Sequence, residues 1–450
     1  MMTIKNDTHT DVGNAERFVA EYGDTLRYCA SAKQWLIWSE NSWQWDTTEL
    51  VTYFAQCTAR EMLSKALAVE DEDKRKVAIQ HAMRSSSKAK IDAMLHLARA
   101  FPDIAVEAKD LDSNPLLFNV ANGTFNLNTL ELQPAHPRDM ITRSSPVEYD
   151  PSASCPRWDQ FMREITDDCQ PVIDYLQRAA GYSLCGEVTE HVLFIAWGKG
   201  QNGKSTFIEA LRYVFGPYAS AADFSTFASG RTMGGARNDI ARLARSRLVT
   251  ASESEKNCEL AESLIKQLTG GDTVAARFLY LEAFEFKPMF KLWMFTNYLP
   301  KNMGGDGIWR RVKLIPFTVH IPDDMKDDRL PEKLRLEASG ILNWVIEGYV
   351  QFCIQGLNTP EEIKEATAGY RMSEDVLGRF VAACCSVGPA LNVRARVLYA
   401  AFQDWATNIG ENVLDERKFA QLVGASGISG KRTSEGRVWQ GIALTNPNPG

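Results

Sequence analysis

The nine residues GKGQNGKST, positions 198 to 206, lie between an apolar run, HVLFIAW, and an amphipathic segment, FIEALRYVFG. A glycine-rich loop that leaves a buried strand and enters a helix is tightly constrained. Glycines let successive backbone N–H groups curl around an anion, and the following helix adds the positive end of its dipole. Gly198, Gly203, Lys204 and Ser205 satisfy G-x-x-x-x-G-K-S, with Gly200, Asn202 and Thr206 completing the loop. In this pattern the lysine reaches the β- and γ-phosphates of a nucleoside triphosphate, and the serine hydroxyl ligates magnesium. The loop alone does not choose between a nucleotide kinase, a GTPase, a signalling switch and a motor.

Four short apolar runs, HVLFIAW, SRLVTAS, KLWMFTN and VKLIPFT, recur from residue 191 onward, separated by helical or polar stretches. That pattern predicts a central parallel sheet covered on both faces, an α/β core over 191–320. Upstream, residues 1–150 read as an α+β unit. They hold the aromatic hairpin WLIWSENSWQWD, a long helical tract from Glu61 to Ala100, and a second hairpin turning at Asn122-Gly123. A helical linker spans 151–190, helices occupy 321–375, and residues 376–450 suit a winged helix of two helices and a two-stranded wing. A chain of 450 residues accommodates about three domains.

Composition narrows the function classes. The net charge of −7 and the pI of about 5.6 exclude a protein that coats DNA with a uniformly basic surface, so nucleic-acid contacts must use local patches. Nine cysteines without a Cys-x-x-Cys pair argue against a zinc ribbon and a disulfide framework, and point to a reducing cytoplasm. The six histidines show no metal-ligand spacing, and no apolar run approaches the length that spans a bilayer.

The choice of machine rests on residues downstream of the loop. Glu253 and Glu255 follow SRLVTAS at a strand's carboxyl end, where a carboxylate can hold the magnesium shell and orient the attacking water. Asn297 ends KLWMFTN, where an amide can sense a γ-phosphate or simply cap a turn. Arg310 and Arg311 precede the fourth run. Either guanidinium could serve as an arginine finger, with Arg311 preferred because it borders the strand, and surface salt bridging is the alternative. Between these, QLTGGDTVAARFLYLEAFEFKP predicts a hairpin on which Arg277 and Lys287 could grip a phosphate backbone, or form an ordinary sheet edge.

The ordered set GKGQNGKSTF, DIARLARSRLVTASESE, LIKQLTGGDTVAARFLYLEAFEFKPMFKLWMFTN and DGIWRRVKLIPF resembles a superfamily 3 helicase. More closely, it is similar to the phage and plasmid primase–helicases related to the poxvirus primase–helicase. LLFNVANGTFNLNTLEL and CPRWDQFMREI carry the similarity toward the N-terminus. The resemblance implies an ATP-driven AAA+ motor, usually a hexameric ring, moving 3′ to 5′ on single-stranded DNA at a fork. It assigns Gly203, Lys204 and Ser205 to the phosphate loop, Glu253 to the magnesium-linked acid and Asn297 to the sensor. Arg311, with or without Arg310, becomes a finger acting across the subunit boundary. One departure stands out: the acids alternate as Ser252-Glu253-Ser254-Glu255, where many relatives carry two adjacent acids, so the general base stays open between them.

Residues 1–115 offer no acid cluster of the kind two-metal nucleotidyl transfer requires. The chain therefore reads as a helicase whose primase or polymerase, if any, is a separate polypeptide. Trp35, Trp38, Trp43 and Trp45 could stack bases or fill one face of a small core. From Arg379 onward, basic residues outnumber acidic ones, and Lys431 and Arg432 would open a DNA-contacting wing. Two rivals to the motor remain: an ATP-controlled origin-binding switch that separates no strands, and a monomeric nucleotide kinase.

Overall fold

The computed structural model describes residues 9–229, 238–252, 258–277, 283–301, 303, 305–411, 413–434 and 436–445. Its centre is a five-stranded sheet in which every pairing is parallel. In chain order the strands are Leu193–Trp197, Ala219–Asp223, Leu248–Ser252, Lys291–Thr296 and Val312–Pro316. Across the sheet they run fifth, first, fourth, third, second. The sequence shows four of them as apolar runs. The second, ASAAD, is an edge strand of small, partly exposed residues, so it carries no run to be read.

Strand alternation divides the sheet's side chains between two cores. Phe194, Ala196, Trp293, Phe295 and Ile315 face a large cluster containing Phe207 and Leu211 of helix Lys204–Phe215. That cluster also takes in helices Pro156–Thr166, Gln170–Leu184 and Ala338–Gln355. Leu193, Ile195, Val249, Leu292, Met294 and Leu314 face the opposite way, onto Ile240, Leu264, Leu268 and Ile308. With both faces covered, only the strand ends are open to a ligand, and in open parallel sheets ligands bind at the carboxyl ends.

The N-terminal region is α+β. Its sheet has the order Ser42–Trp45, Gln34–Ser39, Leu26–Cys29, Ala105–Val106, and it packs with helices Asp11–Tyr22, Leu50–Leu67 and Lys88–Ala98. The long helical tract is three helices rather than one. Asp71 accepts from the amides of Asp73 and Lys74, both at 3.0 Å, and so starts Glu72–Ser85 afresh after a break. The second hairpin turns one residue earlier than the Asn-Gly signal suggests. Val120 pairs with Gly123, leaving Ala121 and Asn122 as the loop, and Asn122 binds both backbone groups of Tyr149. Trp43 is fully buried and donates to the Pro137 carbonyl at 2.9 Å, while Trp35 packs edge-on against Phe18. Those two rings are core, which removes the base-stacking reading for them.

The C-terminal region holds three helices, Val376–Cys384, Ala395–Asn408 and Glu416–Ala425, around Phe380, Phe402, Phe419 and Trp439. Its antiparallel sheet has three strands, Cys385–Arg394, Gly436–Leu444 and Ser429–Thr433, with Gly436–Leu444 in the middle. The extra strand hid in CSVGPALNVR because Gly388 and Pro389 sit at a register irregularity between Val387 and Asn392. Among the described residues, no helix is long and apolar enough to cross a membrane.

Candidate functional site

The loop 198–203 leaves the first strand at its carboxyl end and enters helix Lys204–Phe215 with Gly203 as the N-cap residue. No side chain caps that helix, so its first amides remain available to an anion. Gly203 has φ +77°, and a Cβ built there would lie 2.3 Å from Cγ2 of Ile165. Only glycine fits that backbone and that gap. Helix Pro156–Thr166 thus forms a wall behind the loop through Phe161 and Ile165. Neither residue is visible as a site residue in the sequence, because their contribution is shape.

Lys204 is 6% exposed, yet its ammonium meets only neutral oxygens among the described residues. It donates to the Gly198 carbonyl at 2.6 Å, to Oδ1 of Asn202 at 3.0 Å and to Oδ1 of Asn297 at 3.2 Å. Burial pushes its pKa down to about 8. An ammonium with no counter-ion among the described residues, beside an uncapped helix N-terminus, fits a chain of phosphates. Ser205 is exposed and Thr206 half-buried in the first helical turn. Asn297 follows the fourth strand, which pairs directly with the first, so it and the loop share the same sheet end. Lys204, Asn202 and Asn297 are therefore brought together.

A second segment, 317–323, lies on the loop, and sequence reasoning missed it. The amide of Phe317 donates to the Trp197 carbonyl at 2.7 Å, prolonging the pairing of the fifth and first strands. The Phe317 carbonyl accepts from Nδ2 of Asn202 at 2.9 Å. The Ile321 amide donates to the Gln201 carbonyl at 2.7 Å, and Gln201 Nε2 reaches Asp323 at 3.3 Å. Its only sequence signal is its position, directly after an apolar strand.

Arg311 stands elsewhere. It precedes the fifth strand at the amino end of the sheet, where its carbonyl accepts from Leu193 N at 2.8 Å. Its guanidinium is half-buried and donates to Thr269 Oγ1 at 3.4 Å. Arg310 is exposed. Neither arginine approaches the loop of its own chain. Glu253 and Glu255 lie outside the described residues; the strand leading to them ends at Ser252, opposite Phe295.

Residues 15–167 match the family model described as D5 N terminal like, and residues 196–311 match a family of unknown function, DUF5906. A protein named "Putative helicase" in Acanthamoeba polyphaga mimivirus is 24% identical over 78% of this chain and 41% of its own length. Another of that name, from Frog virus 3 (isolate Goorha), is 26% identical over 74% of this chain and 43% of its own. A protein of African swine fever virus named "Putative primase" is 25% identical over 60% of this chain.

The chain is similar to proteins of the primase–helicase kind.

It spans about two fifths of the length of the first two relatives. The C-terminal region of NrS-1, solved in an apo form, superposes with a TM-score of 0.52 over 95% of this chain and 98% of that one. At 9% identity this likeness speaks for the fold alone.

The basic residues singled out in the sequence fall in contrasting places. Arg277 is exposed at the far end of strand Val274–Arg277, paired with Ala283. Lys287 follows strand Ala283–Phe286 at the hairpin's other end, where its chain passes beside Gly271. Along the hairpin the two stand about 13 Å apart, four residues at roughly 3.3 Å each. Lys431 and Arg432 both lie on the exposed edge strand Ser429–Thr433, but successive side chains of a strand point to opposite faces. Arg432 shares its face with Arg437, its direct cross-strand partner, and not with Lys431. Among the described residues, no group of three or more His, Cys, Asp or Glu is placed to hold a metal ion.

Proposed function

We propose that this chain is the motor of an ATP-dependent replicative DNA helicase of superfamily 3. In this reading 191–320 is an AAA+ core that assembles into a hexameric ring on single-stranded DNA. What supports it is that residues the resemblance assigns to one catalytic set lie at the two ends of a sheet. Lys204 and Asn297 gather at the carboxyl end, and Arg311 stands at the amino end. Such a set is complete only when a neighbouring copy offers its amino end to the loop.

Lys204 and the first amides of helix Lys204–Phe215 hold the β- and γ-phosphates, and Ser205 holds the metal. Magnesium, when bound, would draw off charge as the terminal phosphoryl group departs. One of Glu253 and Glu255 orients the attacking water, and Asn297 registers the γ-phosphate. Arg311 of the adjoining subunit neutralises charge that builds on the leaving oxygens, an effect worth roughly 10³ to 10⁵ in rate. The hairpin carrying Arg277 would move the strand. Helices within 321–375 would form a lid, the N-terminal α+β unit a collar, and residues 376–450 a winged helix on duplex DNA.

The test is hydrolysis rate against protein concentration, with a strand-displacement assay alongside. Specific activity should rise steeply as copies associate, and a forked duplex should be separated. Full specific activity at concentrations where electron micrographs show single copies would exclude the ring. Assembly and hydrolysis without strand separation would favour the origin-binding switch.

A further inference from the structure

Asn202 occupies a position that the phosphate-loop pattern leaves open, but its side chain is 3% exposed and has both ends engaged. Oδ1 accepts from the Lys204 ammonium at 3.0 Å, and Nδ2 donates to the Phe317 carbonyl at 2.9 Å. The bridge also accounts for Gly198. A Cβ there would lie 2.2 Å from Nδ2 of Asn202 and 2.2 Å from the Phe317 oxygen, so the first glycine of the motif leaves room for this hydrogen bond. Phe317 directly follows the fifth strand, Val312–Pro316, and that strand directly follows Arg311.

We infer that Asn202 is a positioning residue that reports the filling of its own phosphate loop to the strand bearing Arg311. This rests on the reading of the loop as a triphosphate site. When phosphate enters, the Lys204 ammonium turns toward the anion and leaves Oδ1 of Asn202. A buried amide oxygen without a donor is costly. The Nδ2 group meanwhile gains a charged acceptor, and hydrogen bonds to ionised groups are roughly twice as strong as neutral ones. Turning the amide brings Nδ2 to the anion and lets Oδ1 follow the Lys204 ammonium, and the Phe317 carbonyl is released. The segment 317–323 keeps its ties from the Phe317 amide to Trp197 and from Ile321 to Gln201, so it loosens between them, just past the strand's end. A rigid five-residue strand carries that change to Arg311, which in the ring serves the neighbouring pocket.

Amide hydrogen exchange on the full chain, with and without a non-hydrolysable ATP analogue, tests this. In the wild type the loop 198–206 should become protected while 317–323 exchanges about tenfold faster, since one hydrogen bond is lost. Asn202→Asp keeps an acceptor for Lys204 and removes the donor to Phe317. Its 317–323 segment should exchange fast already, and the analogue should not change it further. Asn202→Ser, smaller and neutral, should behave likewise if the carboxylate disturbs folding. If the analogue binds and 317–323 slows or does not respond in the wild type, the relay is overturned and the site stands. The relay is overturned equally if both variants still show the tenfold response. Absence of analogue binding to the wild type would remove the triphosphate reading itself, and the relay with it.

Discussion

Arg311 and Lys204 sit at opposite ends of the paired fifth and first strands. Leu193, which opens the first strand, donates its amide to the Arg311 carbonyl at 2.8 Å, and the loop carrying Lys204 leaves that strand after Trp197. A five-residue strand is about 16 Å long, well beyond the reach of a guanidinium to its own loop. The separation sets how mutants should behave in mixtures. Arg311→Ala copies, mixed with wild type at constant total protein, should depress hydrolysis more than in proportion to their share, because each one disables a neighbour's pocket. A linear fall with mixing ratio would place the effect within one chain. Arg310→Ala, at an exposed position, should act far more weakly.

Lys204 makes nucleotide binding sensitive to pH. Burial lowers its pKa to about 8, so the ammonium loses its proton as the pH climbs through that value. The affinity for an ATP analogue should therefore fall across that range as the charge facing the phosphates disappears. A bound polyanion would itself raise the lysine's pKa, so the break belongs to the free protein. Lys204→Ala should abolish hydrolysis. Lys204→Arg, whose charge persists over the whole range, should lose the pH dependence whatever affinity it retains. Fluorescence titrations at several pH values would check both.

A second buried lysine makes a stability prediction. Lys291 is 2% exposed, donates to the Cys185 carbonyl at 2.6 Å and lies 4.2 Å from the Tyr182 ring centroid. Burial lowers its pKa from 10.5 to about 8. Between those values the unfolded chain binds a proton that the folded chain does not, so stability increases with pH over that window. Below pH 8 the full penalty, about 3 kcal/mol, is present. Lys291→Met should flatten the rise while leaving the Cys185 carbonyl without this donor. Urea midpoints at about pH 7.5 and about pH 9.5 would show the flattening. An unchanged slope in the variant would mean that the lysine stays protonated in the fold.

The parallel sheet was legible because four of its strands are largely buried on both faces and so are mostly apolar. The phosphate loop was legible because only glycine, lysine and a hydroxyl suit that geometry. What escaped has physical reasons too. Ala219–Asp223 lies at the sheet's edge and needs no apolar run. Phe161 and Ile165 act on Gly203 through space, from some forty residues upstream in the sequence. The segment 317–323 meets the loop mainly through backbone groups, which every residue owns. Nor could a run of two basic residues, Lys431-Arg432, reveal that a strand divides them between its faces.

The hairpin separates two basic residues that the sequence had paired as DNA contacts. Arg277 is exposed next to the turn end, whereas Lys287 sits at the base near Gly271. A strand passing the tip would meet the first and miss the second. Arg277→Ala should weaken single-stranded DNA binding and reduce its salt dependence by about one counterion, leaving DNA-free hydrolysis close to wild type. Lys287→Ala should change neither. Equal losses from both would mean that the DNA lies along the hairpin rather than across its end.

In the C-terminal sheet, Arg432 on the edge strand and Arg437 on the middle strand are direct cross-strand partners, with the Arg437 guanidinium 4.2 Å from the Trp439 ring centroid. Like charges directly opposite are unfavourable in a sheet unless an anion comes between them. A DNA phosphate would relieve that repulsion, and two guanidinium groups on one face can share it. Lys431 points to the other face, opposite Val438. Arg432→Ala and Arg437→Ala should each weaken duplex binding by several-fold, and the double variant should lose less than the product of the two, because they act on one phosphate. Lys431→Ala should leave duplex affinity nearly unchanged. Fluorescence anisotropy with a labelled duplex would decide. A dominant loss from Lys431→Ala would place the DNA on the opposite face of the strand, away from the Arg432–Arg437 pair.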